Sequence, residues 1–180
     1  MRVITGIARG RNLEALPGDD VRPTYDRVKE AMFSIIQFEI EGRRVLDLFA
    51  GSGQLGIEAL SRGAQSATFI DNSKKSIEIV RKNLAAVKMS DKATVIQADA
   101  ASFMANCAGR FDIAFLDPPY DSKLIEKVLP DVARRMAEGG VIICETDLSG
   151  ELPETAEDFN IYRTYKYGKT KITVYRRENI

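Results

Sequence analysis

The sequence contains no histidine and no tryptophan, and only two of its 180 residues are cysteine. The missing histidine excludes Ser-His-Asp and Cys-His catalytic triads, an imidazole general base and every zinc site that needs a histidine ligand. Proton transfer must therefore use carboxylates, tyrosine, lysine or the backbone. The two cysteines, Cys107 and Cys144, lie in apolar surroundings, so we expect reduced core thiols and no metal site.

Long apolar runs are also missing. No segment approaches the roughly 18 residues that a membrane-spanning helix requires, and the N-terminal residues lack the apolar stretch of a signal peptide. We therefore expect a cytoplasmic protein with no membrane partner. A chain of this length is predicted to form one domain, residues 1–180, which can bury about 70% of the surface that the unfolded chain exposes.

The charges balance, since 26 lysines and arginines face 26 aspartates and glutamates. Zero net charge argues against a nucleic-acid partner, but the charges are segregated along the chain. Residues 145–158 contain six acids and no base, whereas residues 159–177 contain six bases and no acid. A neutral total can therefore include a basic face.

From about residue 43 onward, short apolar runs alternate with helical patterns, which predicts parallel strands joined by right-handed crossovers. The predicted strands are residues 44–48, 67–71, 94–97, 113–116 and 141–145. The predicted helices are residues 24–38, 54–61, 73–87, 101–107 and 122–138. An apolar stripe that includes Met136 marks the last helix, which we expect to bend at Pro130.

Both ends of the chain show strand-like alternation instead. Residues 1–16 alternate around Ala8-Arg9-Gly10-Arg11 and predict a short hairpin. Residues 159–167 and 171–176 flank the turn Gly168-Lys169-Thr170 and predict an antiparallel hairpin. The whole pattern predicts an α/β sandwich with a mixed sheet.

A glycine-rich turn follows the first predicted parallel strand and leads into a helix. Gly51, Gly53 and Gly56 satisfy G-x-G-x-x-G, and Asp71 ends the second strand, where a carboxylate can hold ribose hydroxyls. A dinucleotide and S-adenosylmethionine both fit this pattern. Asp47 favours S-adenosylmethionine, because an anion beside the glycine turn repels a phosphate but attracts an ammonium or sulfonium group. Asp99, after the third strand, is a candidate partner of an adenine amino group.

The motif Asp117-Pro118-Pro119-Tyr120 follows the fourth strand, on the same carboxyl edge as the glycine turn. The two prolines fix the backbone and remove two N–H donors, so Asp117 and the Pro118 carbonyl form a rigid pair of acceptors. Tyr120 offers a ring on which a base can stack, worth about 1–3 kcal/mol. The alternative interpretation is an ordinary strand-ending turn.

Such a motif suits methyl transfer to an amine conjugated to a base. That amine is a poor nucleophile because its lone pair is delocalised into the ring. Two acceptors that bind both amino hydrogens would localise the lone pair toward the incoming methyl group, and no histidine is needed.

Three segments together resemble the bacterial family that methylates a guanine N2 in 16S rRNA: RPTYDRVKEAMF (residues 22–33), DLFAGSGQLGIEALSRGA (residues 47–64) and FDIAFLDPPY (residues 111–120). The D-P-P-Y motif is shared by several amino-methyltransferases, so it specifies the reaction and not the substrate. The first segment is the more specific one. Lys29 and Asp71 stand where Arg and Glu are more usual in this pattern, and both keep the charge.

The resemblance implies a Rossmann-like class I methyltransferase fold. It has a mostly parallel seven-stranded sheet, a C-terminal antiparallel hairpin and an N-terminal β-hairpin extension, residues 1–20, that contacts RNA. It also implies S-adenosylmethionine as cofactor and 16S rRNA as partner, within a small-subunit assembly particle. We expect the protein to act as a monomer.

The resemblance implies three groups of site residues. The cofactor residues are Asp47, Gly51, Gly53, Asp71, Asp99 and Ala100. The catalytic residues are Asp117, Pro118, Pro119 and Tyr120. The RNA-binding residues are Arg2, Arg9, Arg11, Arg22, Arg27 and Lys169, with Lys171 as a further candidate. Two rival functions stay open: an amino-methyltransferase that acts on another base, such as adenine N6 in DNA or RNA, and a nonenzymatic RNA-binding factor of ribosome assembly.

Overall fold

The computed structural model describes residues 1–18, 23–119 and 122–178. Eight strands form one sheet in the order β3-β2-β1-β4-β5-β8-β7-β6. The strands are β1 Arg44–Asp47, β2 Ser66–Asp71, β3 Ala93–Gln97, β4 Phe111–Leu116, β5 Met136–Asp147, β6 Thr155–Ala156, β7 Phe159–Tyr167 and β8 Thr170–Arg177. The first five run parallel, and β8, β7 and β6 are added antiparallel. This is the expected mixed α/β fold of a class I methyltransferase.

Within the described residues, five α-helices connect and cover the sheet. They are α1 Pro23–Ile35, α2 Gln54–Ser61, α3 Lys74–Ala86, α4 Ala100–Asn106 and α5 Ser122–Arg134, and a 3₁₀ turn spans Ser90–Lys92. Two helices begin where side chains satisfy free N–H groups: Ser73 accepts from the Ser76 N–H, and Asp99 accepts from the Ser102 N–H. None of the described helices is long and apolar enough to cross a membrane.

Several predicted elements differ from the observed ones in their bounds: for example, α1 ends at Ile35 and not at residue 38, and β5 begins at Met136 and not at residue 141. Helix α5 ends at Arg134 and not at residue 138, because Met136 pairs with Phe111 and already belongs to β5. The side chain of Met136 still enters the core, which is why its position fits a helical stripe equally well. The short strand β6 pairs with Phe159 and Asn160 and raises the strand number from the expected seven to eight.

Two apolar layers cover the two faces of the sheet, and successive residues of a strand enter them alternately. In β5, for example, Val141 and Ile143 belong to the layer that contains α1, α2 and α3, which we call layer A. Ile142 and Cys144 belong to the opposite layer, which contains α5. Cys144 is fully buried and burial raises the pKa of its thiol well above the usual range, whereas Cys107 is half-buried; neither forms a disulfide.

The N-terminal residues fold back on themselves, and within the described residues 1–18 their one strand-type pairing is an isolated bridge between Arg2 and Asn12. Residues 1–16, which we call the N-terminal arm, depend instead on contacts with the helices. Glu58 in α2 is completely buried, and its carboxylate accepts from the N–H groups of Ile4 and Thr5 at 2.8 and 2.9 Å. Lys29 in α1 is also buried; its Nζ donates to the Arg2 carbonyl at 2.8 Å and lies 3.8 Å from Glu58.

Replacement of Glu58 by alanine should destabilise the protein and release the arm. The change leaves the buried Lys29 ammonium without its ion-pair partner and removes the acceptor of two backbone N–H groups; breaking a buried ion pair in this way typically costs about 3–5 kcal/mol. Urea unfolding measures the free energy, and trypsin cleavage after Arg9 and Arg11 measures release. Exposed Glu78 provides the control, Glu78→Ala. Equal stability and equal cleavage of the two variants would contradict this role of Glu58.

Candidate functional site

Acidic residues collect at the carboxyl edge of the parallel strands. Asp47 ends β1, Asp71 ends β2, Asp117 directly follows β4 and Asp99 comes two residues after β3. The register places these positions close together: Asp47 pairs with Phe69 and with Phe115, two residues before Asp71 and Asp117 respectively. The expected convergence of the glycine turn and the D-P-P segment on one sheet edge is present.

Strand alternation also places these carboxyl groups on one face. In β1 and β2 the residues two positions before the acids, Val45 and Phe69, belong to layer A. In β4, Phe115 belongs to layer A and Leu116 to the opposite layer, so extended backbone directs Asp117 toward layer A as well. The three aspartates therefore face the side of the sheet that carries α1, α2, α3 and the N-terminal arm.

The glycine turn is held by two of the aspartates. One Asp71 oxygen accepts from the Gly51 N–H and the other from the Ser73 N–H, both at 2.9 Å. Asp47 accepts from the Gly56 N–H at 3.0 Å. Gly53 has a φ of 81°, in the left-handed region that a side chain disfavours, and a Cβ on Gly56 would come within 2.3 Å of the Phe69 ring. Because Gly53 and Gly56 have no side chains, the glycine turn and helix α2 can pack tightly against β2.

Asp47 is almost fully buried in this turn. Burial, together with the charges of Asp117 and Asp71, raises the pKa of Asp47 to about 7, against the lowering effect of the Gly56 hydrogen bond. If Asp47 ionises, a bound cation compensates its charge best, because Asp47 already lies beside two other carboxyl groups. The turn is therefore suited to an ammonium or sulfonium ligand and unsuited to a phosphate.

Free acceptors in the turn also fit S-adenosylmethionine. The side-chain oxygen Oε1 of Gln54 is buried and has no hydrogen-bond partner in the described part of the chain, so it can accept from a ligand ammonium group. Each Asp71 oxygen accepts one hydrogen bond and keeps a second lone pair for a ribose hydroxyl. Gln54 is not among the site residues predicted from the sequence, and its burial at the helix start is visible only in the structure.

Asp99 and Ala100 lie just past the carboxyl end of β3, the strand that pairs with β2. Asp99 is exposed and caps α4, with one oxygen accepting from both the N–H and the Oγ of Ser102 at 2.9 and 3.1 Å. These hydrogen bonds lower the pKa of Asp99, so it is a carboxylate at neutral pH. Ala100 begins the same helix.

The D-P-P segment is partly accessible to solvent. Asp117 is half-buried, Pro118 is buried and Pro119 is exposed. Tyr120, predicted to stack on the substrate base, lies outside the described residues, and so does Arg22.

Sequence analysis missed Glu145. It lies in β5 one residue after Cys144, which pairs with Leu116, so Glu145 and Asp117 occupy neighbouring strands at the same level. Burial and the charge of Asp117 raise the pKa of Glu145 to about 9. The signal that could have found it is its place at the end of a parallel strand, like Asp47 and Asp71. Glu145 ends the predicted strand 141–145, but the sequence analysis assigns it no role in the site.

The predicted RNA-binding residues that the structure describes are exposed except for Lys171, which is half-buried, and they are not all near this edge. Arg2 is near the glycine turn, because the adjacent Met1 sulfur accepts from Ser52 Oγ at 3.4 Å. Arg9 belongs to the tip of the arm, where the Ile7 N–H donates to the carbonyl of Ser61 at the far end of α2, about 10 Å from its start. Arg11 lies between Arg2 and the tip of the arm, and its carbonyl accepts from the Val3 N–H.

Arg27 and Lys169 lie on the site side of the molecule. Helix α1 runs from the carboxyl edge of the sheet toward the amino edge. Phe33, near the end of the helix, packs on Phe115 near the carboxyl end of β4. Glu39, beyond the helix, accepts from Arg176, which pairs with Val141 closer to the amino edge. Arg27 is therefore on the half of α1 nearer the site. Lys169 lies in the β7–β8 turn, next to Thr170, which pairs with Asp147 just past Glu145.

Comparison with known proteins agrees with this geometry. A family model described as "Conserved hypothetical protein 95" matches residues 1–176. "Ribosomal RNA small subunit methyltransferase D" of Escherichia coli strain K12 is 34% identical over 180 residues, which cover 99% of this chain and 90% of that protein. YlbH of Bacillus subtilis, which its name classes provisionally as an rRNA methyltransferase, is 42% identical over 98% of this chain and 99% of its own length.

A solved structure is similarly close. The E. coli protein yhhF, also named provisionally as a methyltransferase, superposes with a TM-score of 0.88 at 35% identity, over 99% of this chain and 98% of that one.

The raised pKa of Asp47 predicts that the free energy of unfolding depends on pH. The folded protein binds the Asp47 proton up to about pH 7 and the unfolded chain only to about pH 3.8, so ionisation should lower the free energy of unfolding across this window, by up to about 4 kcal/mol. Asp47→Asn cannot ionise and should gain stability relative to the wild type from pH 4 to pH 7. Urea unfolding across this range measures the difference. Exposed Asp91→Asn should parallel the wild type; a parallel curve for Asp47→Asn would refute the prediction.

Proposed function

Because this chain belongs to the family described as Conserved hypothetical protein 95, we propose that it transfers a methyl group from S-adenosylmethionine to the exocyclic N2 amine of a guanine in 16S rRNA. The observation that carries this proposal is the D-P-P segment beside an acid-lined glycine turn on one sheet edge. The name of the E. coli relative supports small-subunit rRNA as the substrate.

The glycine turn would hold the cofactor. Asp71 would bind the ribose hydroxyls, Asp47 and Gln54 would receive the cationic methionine end, and Asp99 with the Ala100 backbone would meet the adenine. Gly51 and Gly53 would let the backbone approach the ligand closely. When bound, S-adenosylmethionine supplies a methyl group on a positively charged sulfur, which a neutral amine can attack.

The D-P-P segment would prepare the amine. Asp117 and the Pro118 carbonyl would accept the two N2 hydrogens and localise the nitrogen lone pair, and Asp117 would take the proton that leaves after methylation. Pro119 has no N–H that could compete for these acceptors. Tyr120 remains the residue that the sequence predicts to stack on the base. Correct placement of two reactants can supply roughly 7–11 kcal/mol of the barrier, so positioning would be the main contribution.

RNA would approach the carboxyl edge across basic residues. Arg2, Arg27 and Lys169 surround this edge, while Arg9 and Arg11 extend the basic surface along the arm. A guanine inside a helix is inaccessible, so the target would be exposed or flipped out, within a partly assembled small subunit. We propose that one copy of the chain is sufficient.

The proposal is tested by mapping methyl groups in rRNA from cells with and without the protein. A guanine N2 methyl in 16S rRNA should disappear on deletion and return with the wild-type gene. Mass spectrometry of nucleosides also identifies the rival products, since N6-methyladenine in RNA or DNA would replace the guanine assignment. The loss of no methyl group would support the nonenzymatic rival.

Asp117→Ala should lower methyl transfer at least a hundredfold, because the amine loses the acceptor that localises its lone pair. Affinity for S-adenosylmethionine, measured by calorimetry, should change little. Glu138→Ala removes an exposed acid at the opposite end of β5 and should leave both quantities unchanged. Turnover near the wild-type rate in Asp117→Ala would disprove the proposed role of this carboxyl group.

Arg27→Ala and Lys169→Ala should each weaken rRNA binding and reduce the slope of log affinity against log salt by about one per lost phosphate contact. Filter binding at several salt concentrations measures this slope. Lys92→Ala removes an equally exposed charge just before β3, at the amino edge, and should bind like the wild type. If all three variants share the wild-type slope, RNA does not cross the carboxyl edge here.

A further inference from the structure

Glu145 is a half-buried acid that the proposed chemistry does not use. Its neighbours along β5, Ile143 and Cys144, enter layer A and the opposite layer respectively, so its side chain faces layer A, as Asp117 does. Leu116 and Cys144, the residues directly before these two acids, are paired, and adjacent paired strands lie about 4.8 Å apart. The two carboxyl groups therefore border the same space at the edge of the sheet.

Two carboxyl groups so placed do not both ionise at neutral pH. Burial opposes the charge of Glu145, the charge of Asp117 opposes it further, and together they raise the pKa of Glu145 to about 9. Within the described part of the chain, no cation forms an ion pair with Glu145. Glu145 is thus a protonated acid beside the group that binds the amine.

A protonated carboxyl group has one O–H donor and one carbonyl acceptor side by side. The Watson–Crick edge of guanine presents, next to its N2 amine, an N1–H donor and then the O6 acceptor. These two pairs are complementary, and both hydrogen bonds can form at once.

We propose that Glu145 in its protonated form pairs with the N1–H and O6 groups of the target guanine, while Asp117 and Pro118 hold the N2 amine. This inference rests on the proposed function and assigns the choice of base to one residue. Adenine placed with its N6 amine at Asp117 would present the N1 acceptor and a C2–H instead. It would leave the Glu145 carbonyl without a donor, and a site with an unpaired buried polar group rejects the wrong base.

Two substitutions separate a neutral role of Glu145 from an ionised one. Glu145→Gln keeps a donor and an acceptor in the same shape, so its kcat/KM on small-subunit particles from cells lacking the protein should stay within a few-fold of the wild type. Glu145→Leu removes both hydrogen bonds and should lose about ten- to a hundredfold. The inference fails if the leucine variant is fully active or if the glutamine variant loses as much as the leucine variant.

A base analogue distinguishes recognition from a merely structural effect. A 16S rRNA with 2-aminopurine at the mapped guanine keeps the N2 amine but has neither O6 nor the N1–H. The RNA is made by splinted ligation and assembled with small-subunit proteins. The wild type should prefer guanine over 2-aminopurine by about ten- to a hundredfold, whereas Glu145→Leu should methylate both equally slowly. A preference of equal size in the two enzymes would overturn the inference.

Two further measurements keep the outcomes distinct. Thermal unfolding and S-adenosylmethionine binding of each variant show whether a loss reflects folding. If the wild type methylates no rRNA guanine, the proposed function itself falls. If the wild type methylates an rRNA guanine and the Glu145 variants behave like the wild type on both guanine and 2-aminopurine, only the proposed role of Glu145 is wrong.

Discussion

The structure depends on carboxyl groups that the strand register forces together. Parallel strands end at one edge, and alternation directs Asp47, Asp71, Asp117 and Glu145 to one face there. Such neighbours oppose one another's ionisation, so burial and mutual repulsion raise the pKa values of Asp47 and Glu145 to about 7 and about 9. A site built in this way gains most from ligands that bring a positive charge or hydrogen-bond donors. A cationic cofactor and a base amine are such ligands.

A second buried charge cluster connects the N-terminal arm to this edge. Glu58 and Lys29 hold the first residues of the arm, and Asn83 of α3 holds its other end by donating to the carbonyls of Glu14 and Ser52 at 2.9 Å. Ser52 belongs to the glycine turn. The arm and the turn thus share one hydrogen-bonded side chain. Basic residues on the arm are therefore fixed relative to the cofactor side of the site, although Glu58 itself does not touch the proposed ligands.

Local patterns predicted most of this arrangement, and tertiary contacts decided the rest. The glycine turn, Asp71 and the D-P-P segment follow directly from strand ends and motif spacing. Met136 satisfies a helical stripe and a strand equally well, and only its pairing with Phe111 assigns it to β5. The N-terminal arm alternates like a hairpin, yet its N–H groups bind Glu58, more than fifty residues away. No local pattern in the sequence marks that partner. Glu145 ends a predicted strand but belongs to neither the glycine turn nor the D-P-P segment, and only the pairing of β5 with β4 brings it beside Asp117.

The positions of the acidic residues explain how the proposed site can work without histidine. An unperturbed imidazole titrates near neutrality, and unperturbed carboxyl groups titrate near pH 4. In this fold, burial moves two carboxyl groups into and above the neutral range, so the site has an ionised, a half-ionised and a protonated acid at one pH. Each form presents a different set of donors and acceptors. Carboxyl groups in graded environments can therefore bind a cation, orient an amine and recognise a base edge without an imidazole.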